Sequence, residues 1–542
     1  MTITPDSTPL PNDAIFRKLF RVAQEKPDPI IRNDLALNRD LYGDQLLRDV
    51  RDMRANLQPL LAEHVRGSSG NRDTDRYVGI LAPTGYELVV GALASLALGA
   101  AFVPIRPDAP LDMIRAVVQR SPIHVVCLSS RYAHRAAAIC QAGGGPDHPV
   151  RTLLIGSRGA DDRDPEAAAG VHLEASLVIS ETRPAAVYFT SGSTGPPKGV
   201  VHSRRLFARD VGDRGPTGIF LSARPADVVG GSCLLLLAIL HGVTCEVLDW
   251  QAGPDVYWER LRQGGITHLT GLTEVWGQMA RYYREHLRNR SAADREAFLQ
   301  GARALHVAAA QGSLAGPELL RFWAEEIGAP LTVMYGSTEM GDASLIAIPG
   351  VARSLNRCIG LPVPPQHVKL SEGDHGEILV KGPWVFLRYQ ADPKATAAAF
   401  DADGYYRTGD AAHLDGDRYV FDGRLATDLV HQSGQTFSVL AVEGEVQNLD
   451  YVSEAAAVPI RGHCQVGVLA RFTGPHRDSI GLARLRHDLQ LRLESPRLPI
   501  ALRVLRDQDS MPLTYVGKID RASIMGQFSG PDTSSVEWWE CH

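Results

Sequence analysis

The sequence at 188–200 reads Tyr188-Phe-Thr-Ser-Gly-Ser-Thr-Gly-Pro-Pro-Lys-Gly-Val200, and it begins in an apolar run that predicts a buried strand over 186–190. Glycines allow the backbone to approach a phosphate closely, backbone N–H groups and hydroxyls donate to its oxygens, and a lysine supplies positive charge. The segment therefore predicts a phosphate-binding loop. Its candidate contacts are Thr190, Ser191, Gly192, Ser193, Thr194, Gly195 and Lys198.

This loop differs from the GxxxxGK[ST] pattern, because Gly199 follows Lys198 and no Ser or Thr comes next for magnesium. A flexible surface loop is the usual interpretation of a run rich in Gly and Ser. Three hydroxyls, three glycines, two prolines and a lysine directly after a buried strand favour the phosphate loop instead.

Composition restricts the class of protein, the partners and the cellular location that this chain can have. The chain has 542 residues, 44% hydrophobic and 22% charged, which is typical of a globular protein with at least two domains. A net charge of -6 argues against nucleic acid or an anionic membrane as partner. The seven cysteines form no CxxC pair, which disfavours a disulfide framework and a zinc site. No leader, presequence or membrane span is recognisable, so the expected location is cytoplasmic.

Strand and helix patterns alternate through the first two thirds of the chain, which predicts an α/β fold with a largely parallel sheet. From about residue 365 short strands and turns predict a β-rich subdomain, and the last part mixes helix and strand. The segment 423–428, GRLATD, is the candidate linker. We expect a large N-terminal domain over 1–423, a hinge over 424–428 and a small α+β domain over 429–542.

The segment 188–200 resembles the signature [YF]TSG[ST]TGxPKG of the adenylate-forming superfamily of acyl-CoA synthetases, adenylation domains and luciferases. Further segments resemble the superfamily's later motifs in the same order: Tyr335-Gly-Ser-Thr-Glu339 resembles YGxTE, 404–410 resembles GWxxTGD, and 511–521 resembles PxTxxGKIxR. The resemblance covers about 45–525, and around 376–446 the sequence is similar to malonyl-CoA synthetase-like members.

The resemblance implies a role for each matched position. It places Lys518 on the mobile small domain as the catalytic lysine, Glu339 on Mg²⁺, and Asp410 on the ribose hydroxyls. It also assigns Thr338 to phosphate, Tyr335 with Gly336 and Ser337 to the adenine side, Gln311, Gly312 and Ser313 to a loop against adenine, Arg424 to the ribose, and Asp428 to the hinge. Taken alone, each would be an ordinary turn or solvated residue.

Two regions depart from the superfamily pattern. His431, Ser433 and Gly434 fall on the face that delivers the thiol in relatives, so coenzyme A, a phosphopantetheinyl carrier protein and an amine all stay open as acceptor. His202, Val229, Gly230 and Gly231 are the candidate acyl pocket. The glycine pair suggests room for a bulky acyl group, and Arg204, Arg205 and Arg209 could pair with the second carboxylate of a dicarboxylic acid.

The implied activity is ATP-dependent conversion of a carboxylic acid to its acyl-adenylate and transfer of the acyl group to coenzyme A, with ATP, Mg²⁺ and coenzyme A as cofactors. The alternatives are an adenylation enzyme that loads a carrier protein or forms an amide, and a non-catalytic nucleotide-binding protein. The last is disfavoured, because Lys518, Glu339 and Asp410 are all present.

Overall fold

A computed structural model describes residues 9–67, 75–143, 149–156, 170–190, 198–210, 218–432, 435–460, 462, 464–474, 477–513, 519–530 and 533–539. None of the helices in these ranges is long and apolar enough to cross a membrane.

The strands, in chain order, are β1 (Leu10–Pro11), β2 (Ile31–Arg32), β3 (Tyr77–Leu81), β4 (Ala101–Ile105), β5 (Ile123–Leu128), β6 (Arg151–Leu154), β7 (Leu173–Glu174), β8 (Pro184–Thr190), β9 (Lys198–Ser203), β10 (Ile219–Ser222), β11 (Thr244–Val247), β12 (Ile266–Leu272), β13 (Val307–Gln311), β14 (Thr332–Gly336), β15 (Ala343–Ala347), β16 (Cys358–Pro362), β17 (His367–Leu370), β18 (His375–Lys381), β19 (Arg388–Tyr389), β20 (Tyr406–Asp415), β21 (Arg418–Arg424), β22 (Leu429–Gln432), β23 (Gln435–Ser438), β24 (Val452–Ile460), β25 (Gln465–Phe472), β26 (Ala501–Val504) and β27 (Val536–Trp538).

The α-helices are α1 (Ala14–Glu25), α2 (Gly43–Gly67), α3 (Tyr86–Ala97), α4 (Leu111–Arg120), α5 (Ala136–Gly143), α6 (Arg205–Ala208), α7 (Leu234–Leu240), α8 (Pro254–Arg262), α9 (Thr273–Tyr282), α10 (Ala292–Arg303), α11 (Pro317–Arg321), α12 (Pro349–Ser354), α13 (Pro393–Ala398), α14 (Val439–Gln447), α15 (Leu482–Leu489) and α16 (Arg521–Ser529).

One large sheet has the strand order β19-β9-β8-β4-β3-β5-β6 in the described part of the chain. Strands β8, β4, β3, β5 and β6 run parallel, and β9 turns back antiparallel to β8 across the phosphate loop. Every residue of β3 and β4 is buried, because helices cover both faces of a parallel sheet. This burial explains why these strands read as continuous apolar runs.

A second sheet has the order β17-β18-β20-β21-β16-β15-β14-β13-β12-β10-β11-β2 over the described residues. Its half from β2 to β14 is parallel, and its half from β15 to β17 is antiparallel. The predicted α/β fold class is confirmed. Four strands of the antiparallel half, β17, β18, β20 and β21, follow residue 365 as expected, whereas β15 and β16 precede it.

Residues after 428 pair among themselves. Strands β22 and β23 form a hairpin, and β24, β25, β26 and β27 form a separate sheet. Apolar side chains of this sheet pack with α14 and α15 on one side and α16 on the other. Helix α14 begins where the Ser438 hydroxyl accepts from the Leu440 N–H, 3.1 Å away. This region thus has its own buried apolar clusters.

Candidate functional site

Parallel strands β10, β12, β13 and β14 are neighbours in the second sheet, so their carboxyl ends meet at one edge. Ligands of open α/β sheets bind outside this edge. The loops that leave it carry Arg224, Glu274, the 311–313 loop and the 335–339 motif. The 311–313 loop and the 335–339 motif were predicted from the sequence. The sheet places Arg224 and Glu274 at the same edge.

The nucleotide side of this edge is built around Tyr335, at the end of β14. Its hydroxyl donates to Asp410 Oδ2 at 2.7 Å, and Arg424 Nε lies 3.4 Å from Asp410 Oδ1. Strands β20 and β21 place Asp410 opposite Arg424 in register. Burial, followed by the Asp410 charge, raises the pKa of Tyr335 well above its usual value, so the phenol stays a hydrogen-bond donor. Three predicted site residues are thus in contact.

Glu339 follows in the same loop. Its Oε1 accepts from the Tyr389 hydroxyl at 3.1 Å, and Lys198 Nζ lies 5.0 Å from the centre of the Tyr389 ring. Burial, with the neighbouring Glu339 charge, raises the pKa of Tyr389. Tyr389 therefore links the phosphate loop to the predicted metal ligand, a contact that no sequence motif indicated.

Only the ends of the phosphate loop are described. Thr190 and Lys198 face each other as the last pair of the β8–β9 ladder, and Lys198 is exposed. The predicted contacts Ser191, Gly192, Ser193, Thr194 and Gly195 lie outside the described residues. So do Ser433, Gly434 and the predicted catalytic Lys518.

The donor set suits Mg²⁺. Within the described residues, no cluster of three or more His, Cys, Asp or Glu side chains could hold a metal ion. Mg²⁺ in phosphate-transferring sites takes one or two carboxylates, with substrate phosphates and water as its other ligands. The single carboxylate of Glu339, near the phosphate loop, fits that pattern. When bound, the ion would neutralise charge on the phosphates.

His202 hydrogen-bonds the backbone of Thr338. This histidine is fully buried in β9, and its Nε2 donates to the Thr338 carbonyl oxygen at 2.7 Å. Burial lowers the pKa of His202 to about 4, so the ring is neutral at physiological pH. The structure places His202 beneath the 335–339 motif, with no exposed surface toward an acyl group.

The loop predicted to lie against adenine is fixed by α9. The Thr273 hydroxyl donates to the Ser313 carbonyl at 2.8 Å, and the Ser313 hydroxyl donates to Glu274 Oε1 at 2.7 Å. Gly312 has a φ of 91°, which a residue with a side chain rarely adopts. Gln311 and Ser313 therefore have a defined placement beside the first turn of α9.

The expectation that the glycine pair leaves room for a bulky acyl group is wrong. A Cβ on Gly230 would lie 3.0 Å from Arg224 Nη2, and a Cβ on Gly231 would lie 1.9 Å from the Pro225 carbonyl oxygen. Both glycines are buried in a π-helical turn over Val229–Cys233. Arg224 and Pro225 occupy the space, so the glycines allow close packing of this turn. Val229 is half-buried beside them.

Two of the three arginines considered for a dicarboxylic acid are used inside the protein. Arg204 is buried and pairs with Asp13 at 2.5 Å. Arg209 pairs with Asp342 at 2.6 Å and lies over the Trp384 ring. Arg205 is exposed on α6. Binding of a second carboxylate by Arg204 would require breaking its ion pair, whereas Arg209 keeps Nε and Nη1 without a hydrogen-bond partner among the described residues.

The predicted hinge is a tight turn whose first three residues are exposed and whose last residue, Asp428, is buried. The Arg424 N–H donates to Asp428 Oδ2 at 3.0 Å, and Asp428 is 5% exposed. Arg521, which ends the 511–521 motif, lies 3.6 Å from Asp428 Oδ1 and makes a bidentate pair with Glu443 at 2.8 and 3.1 Å. His431, in β22, is exposed and bonds the Thr436 hydroxyl at 2.9 Å. The arginine of the last motif therefore anchors the hinge turn.

Comparison with known proteins assigns the chain to a family. Residues 60–390 match the family described as AMP-binding enzyme. The acyl-CoA ligase oryP of Aspergillus oryzae is 30% identical over 530 residues, which cover 96% of this chain and 93% of that protein. The chain belongs to the AMP-binding enzyme family. The reaction class predicted for it, an AMP-forming acid–thiol ligase that uses ATP, Mg²⁺ and coenzyme A, is thereby confirmed.

Three further proteins resemble this AMP-binding enzyme at lower sequence identity. A mitochondrial malonate–CoA ligase of Mus musculus is 25% identical over 78% of this chain and 76% of its own length. ATP-bound MatB from Rhodopseudomonas palustris superposes with a TM-score of 0.74 at 20% identity, covering 95% of this chain and 98% of that one. The amide bond synthetase McbA from Marinactinospora thermotolerans gives a TM-score of 0.74 at 22% identity, over 95% and 100% of the two chains. These two structures show the shared fold.

Proposed function

We propose that this AMP-binding enzyme joins a small carboxylic acid to coenzyme A, with Lys518 as the catalytic lysine. The supporting observation is the convergence of Lys198, Glu339 and Asp410, from three separate motifs, around Tyr335 and Tyr389. Such a site combines a ring for a base, a carboxylate for ribose and a carboxylate for Mg²⁺ beside a phosphate loop.

In the first half-reaction a carboxylate oxygen attacks the α-phosphorus of ATP and pyrophosphate leaves. Negative charge grows on the phosphate oxygens, and positive side chains with aimed donors lower that barrier. We assign this task to Lys518 and Thr338, with the 190–199 loop holding the leaving pyrophosphate. In the second half-reaction the thiol attacks the acyl carbonyl, and AMP leaves.

We further propose that residues 1–423 and 429–542 are separate domains, joined by the 424–428 hinge. Rotation about Asp428 would move Lys518 away after adenylation and present the face of His431, Ser433 and Gly434 to the thiol. The buried contact of Arg521 with Asp428 and Glu443 supports this, because it fastens the turn to the domain that would move.

Coenzyme A is the acceptor supported by the match to the acyl-CoA ligase of Aspergillus oryzae, which covers nearly the whole chain. Transfer to a phosphopantetheinyl carrier protein or to an amine is a further hypothesis, which the product analysis below tests. We propose a cytoplasmic location, although malonate–CoA ligases of animal mitochondria are among the relatives.

The test is acid-dependent ATP–pyrophosphate exchange with wild type and Lys518→Ala, followed by product analysis with coenzyme A, an amine and a carrier protein. We expect exchange that is lost in the variant, and an acyl-CoA product. Lys394→Ala, on α13, is the matched control. ATP binding without exchange for any acid in a broad panel would reject the proposed activity, and an amide product would reassign the acceptor.

A further inference from the structure

A second pair of charged side chains lies at the carboxyl edge of the sheet, on the acyl side of the predicted nucleotide site. Arg224 leaves β10 two residues after the strand ends, and Glu274 lies in the first turn of α9, two residues after β12 ends. Strand β12 lies between β10 and β13, so Glu274 lies between Arg224 and the 311–313 loop along the sheet edge. Glu274 accepts from Ser313 of that loop at 2.7 Å.

Each of these side chains has a buried polar atom that no described residue satisfies. Arg224 Nη1 and Glu274 Oε2 are both buried without a hydrogen-bond partner in the described part of the chain. The two groups form no ion pair within 4.0 Å there, yet the Glu274 charge is near enough to act on the pKa of Arg224. Other side chains of this protein, Arg209 among them, also have such atoms, but here two opposite charges with unpaired atoms lie at the carboxyl edge of one sheet. Leaving charged atoms unpaired is costly.

Local structure holds Arg224 in this position. The Thr84 hydroxyl, from the loop after β3 in the other large sheet, donates to the Arg224 carbonyl oxygen at 2.7 Å. Gly230 gives the guanidinium its space, since a Cβ there would be 3.0 Å from Nη2. Burial lowers the pKa of Arg224 to about 10, which still leaves it charged at neutral pH. Arg224 therefore keeps a charged donor at the carboxyl edge of the second sheet, with its backbone bonded to the loop after β3.

The chemistry of the pair restricts the substrate. An aliphatic acid would leave both atoms unsatisfied. A second carboxylate could accept from Arg224, but it would face the Glu274 carboxylate and offer it no proton. A hydroxyl oxygen accepts from an N–H and donates its own hydrogen to a carboxylate oxygen, so one group can serve both atoms.

We infer that Arg224 and Glu274 select a hydroxylated carboxylic acid, whose hydroxyl accepts from Arg224 and donates to Glu274. This inference rests on the proposed function and names its substrate class. Both residues act as specificity determinants and take no part in the transfer to phosphorus. Sites that hydrogen-bond a substrate hydroxyl strongly reject the analogue that lacks it.

The experiment is pyrophosphate exchange with matched pairs of acids. Hydroxylated C4 to C6 acids, with the hydroxyl at each position in turn, are compared with their deoxy parents and with dicarboxylic acids of equal length. We expect the best hydroxy acid to exceed its parent by roughly 10²-fold in kcat/KM. In the Arg224→Met variant we expect kcat/KM for the hydroxy acid to exceed that for its deoxy parent by only about 5-fold or less, with the KM for ATP unchanged.

Glu274→Gln gives a second, independent readout. It removes the charge that opposes a second carboxylate and keeps an oxygen for Ser313. We expect the rate with dicarboxylic acids, relative to the hydroxy acid, to rise about 10-fold. Arg288→Met, on the exposed surface, is the control and should change neither ratio. ATP-induced thermal stabilisation establishes that each variant is folded, and Arg224→Lys replaces Arg224→Met if the latter unfolds.

Two results with wild type would overturn the inference: equal kcat/KM for hydroxy acids and their deoxy parents, or a dicarboxylic acid as the best substrate. A third would be an Arg224→Met variant whose KM for ATP rises equally with every acid. The last result would move the pair to the nucleotide site. Absence of exchange with all acids in wild type rejects the proposed function itself, so the two failures are distinguishable.

Discussion

The nucleotide side and the acyl side of this site are built differently. Around Tyr335, the polar groups bond one another: phenol to Asp410, and Asp410 to Arg424. Around Arg224, charged atoms are buried with no bond to any described residue. On the nucleotide side, Ser337 Oγ and Gln311 Nε2 also lack a hydrogen-bond partner among the described residues, but they are neutral atoms, whereas the unpaired atoms of Arg224 and Glu274 belong to charged groups. Leaving a charged group unpaired costs more than leaving a neutral one unpaired. We therefore expect substrate specificity to reside on the acyl side.

The largest expected effect is on the nucleotide side. Glu339→Ala removes the predicted Mg²⁺ ligand and should lower kcat for pyrophosphate exchange by roughly 10²–10³-fold. Steady-state exchange at varied Mg²⁺ measures it, and Glu372→Ala, an exposed carboxylate, is the control. A loss smaller than tenfold would mean that Glu339 does not hold the ion.

The contact of Arg521 with Asp428 and Glu443 should affect the free energy of unfolding more than the rate of adenylation. Arg521→Met leaves Glu443 and Asp428 without their buried cation and should reduce the free energy of unfolding of this region by about 3 kcal/mol. Urea denaturation followed by tryptophan fluorescence measures this loss. Arg477→Met breaks an exposed pair with Asp507 and should cost about 0.5 kcal/mol or less. Equal losses in the two variants would contradict the assignment.

His202 should impose a pH dependence on stability. Its folded pKa of about 4 lies below the unfolded value, so the unfolded state binds more protons between about pH 4 and 6.5. Stability should therefore rise with pH across this window and level off above it. Compared with His202→Gln, which keeps a donor for Thr338, the gain should reach about 3 kcal/mol. Parallel pH profiles of the two proteins would refute a buried, neutral His202.

The smallest effect is expected at the glycine turn. Gly230→Ala places a Cβ 3.0 Å from Arg224 Nη2 and should shift the guanidinium slightly. We expect the KM for the acid to rise about threefold to tenfold, with the KM for ATP unchanged, as one imperfect polar contact would produce. Acid titrations at saturating ATP measure this change. An improved KM for bulkier acids would restore the idea that this turn is open space.

Sequence motifs predicted the family and the candidate nucleotide residues where one short segment contains all the residue types that the function needs. The 188–200 and 335–339 segments identified the family and predict the nucleotide residues. The switch in strand pattern near residue 365 matched strands β17 and β18 of the antiparallel half of the second sheet. The same approach failed at Gly230 and Gly231. A glycine pair in a sequence looks the same whether the missing side chains leave a cavity or make way for Arg224 and Pro225.

Local sequence thus determined the alternation of strands and helices and the family, and it predicts the phosphate loop, because apolar periodicity, motif spacing and backbone freedom are properties of neighbouring residues. Tertiary structure alone decided that Tyr389 would bridge Lys198 and Glu339, that Arg521 would hold Asp428, and that Arg224 would be buried near Glu274. Those pairs are far apart in the chain. Strand order brings them together, and burial removes water from Asp428 and from the unpaired atoms of Arg224 and Glu274.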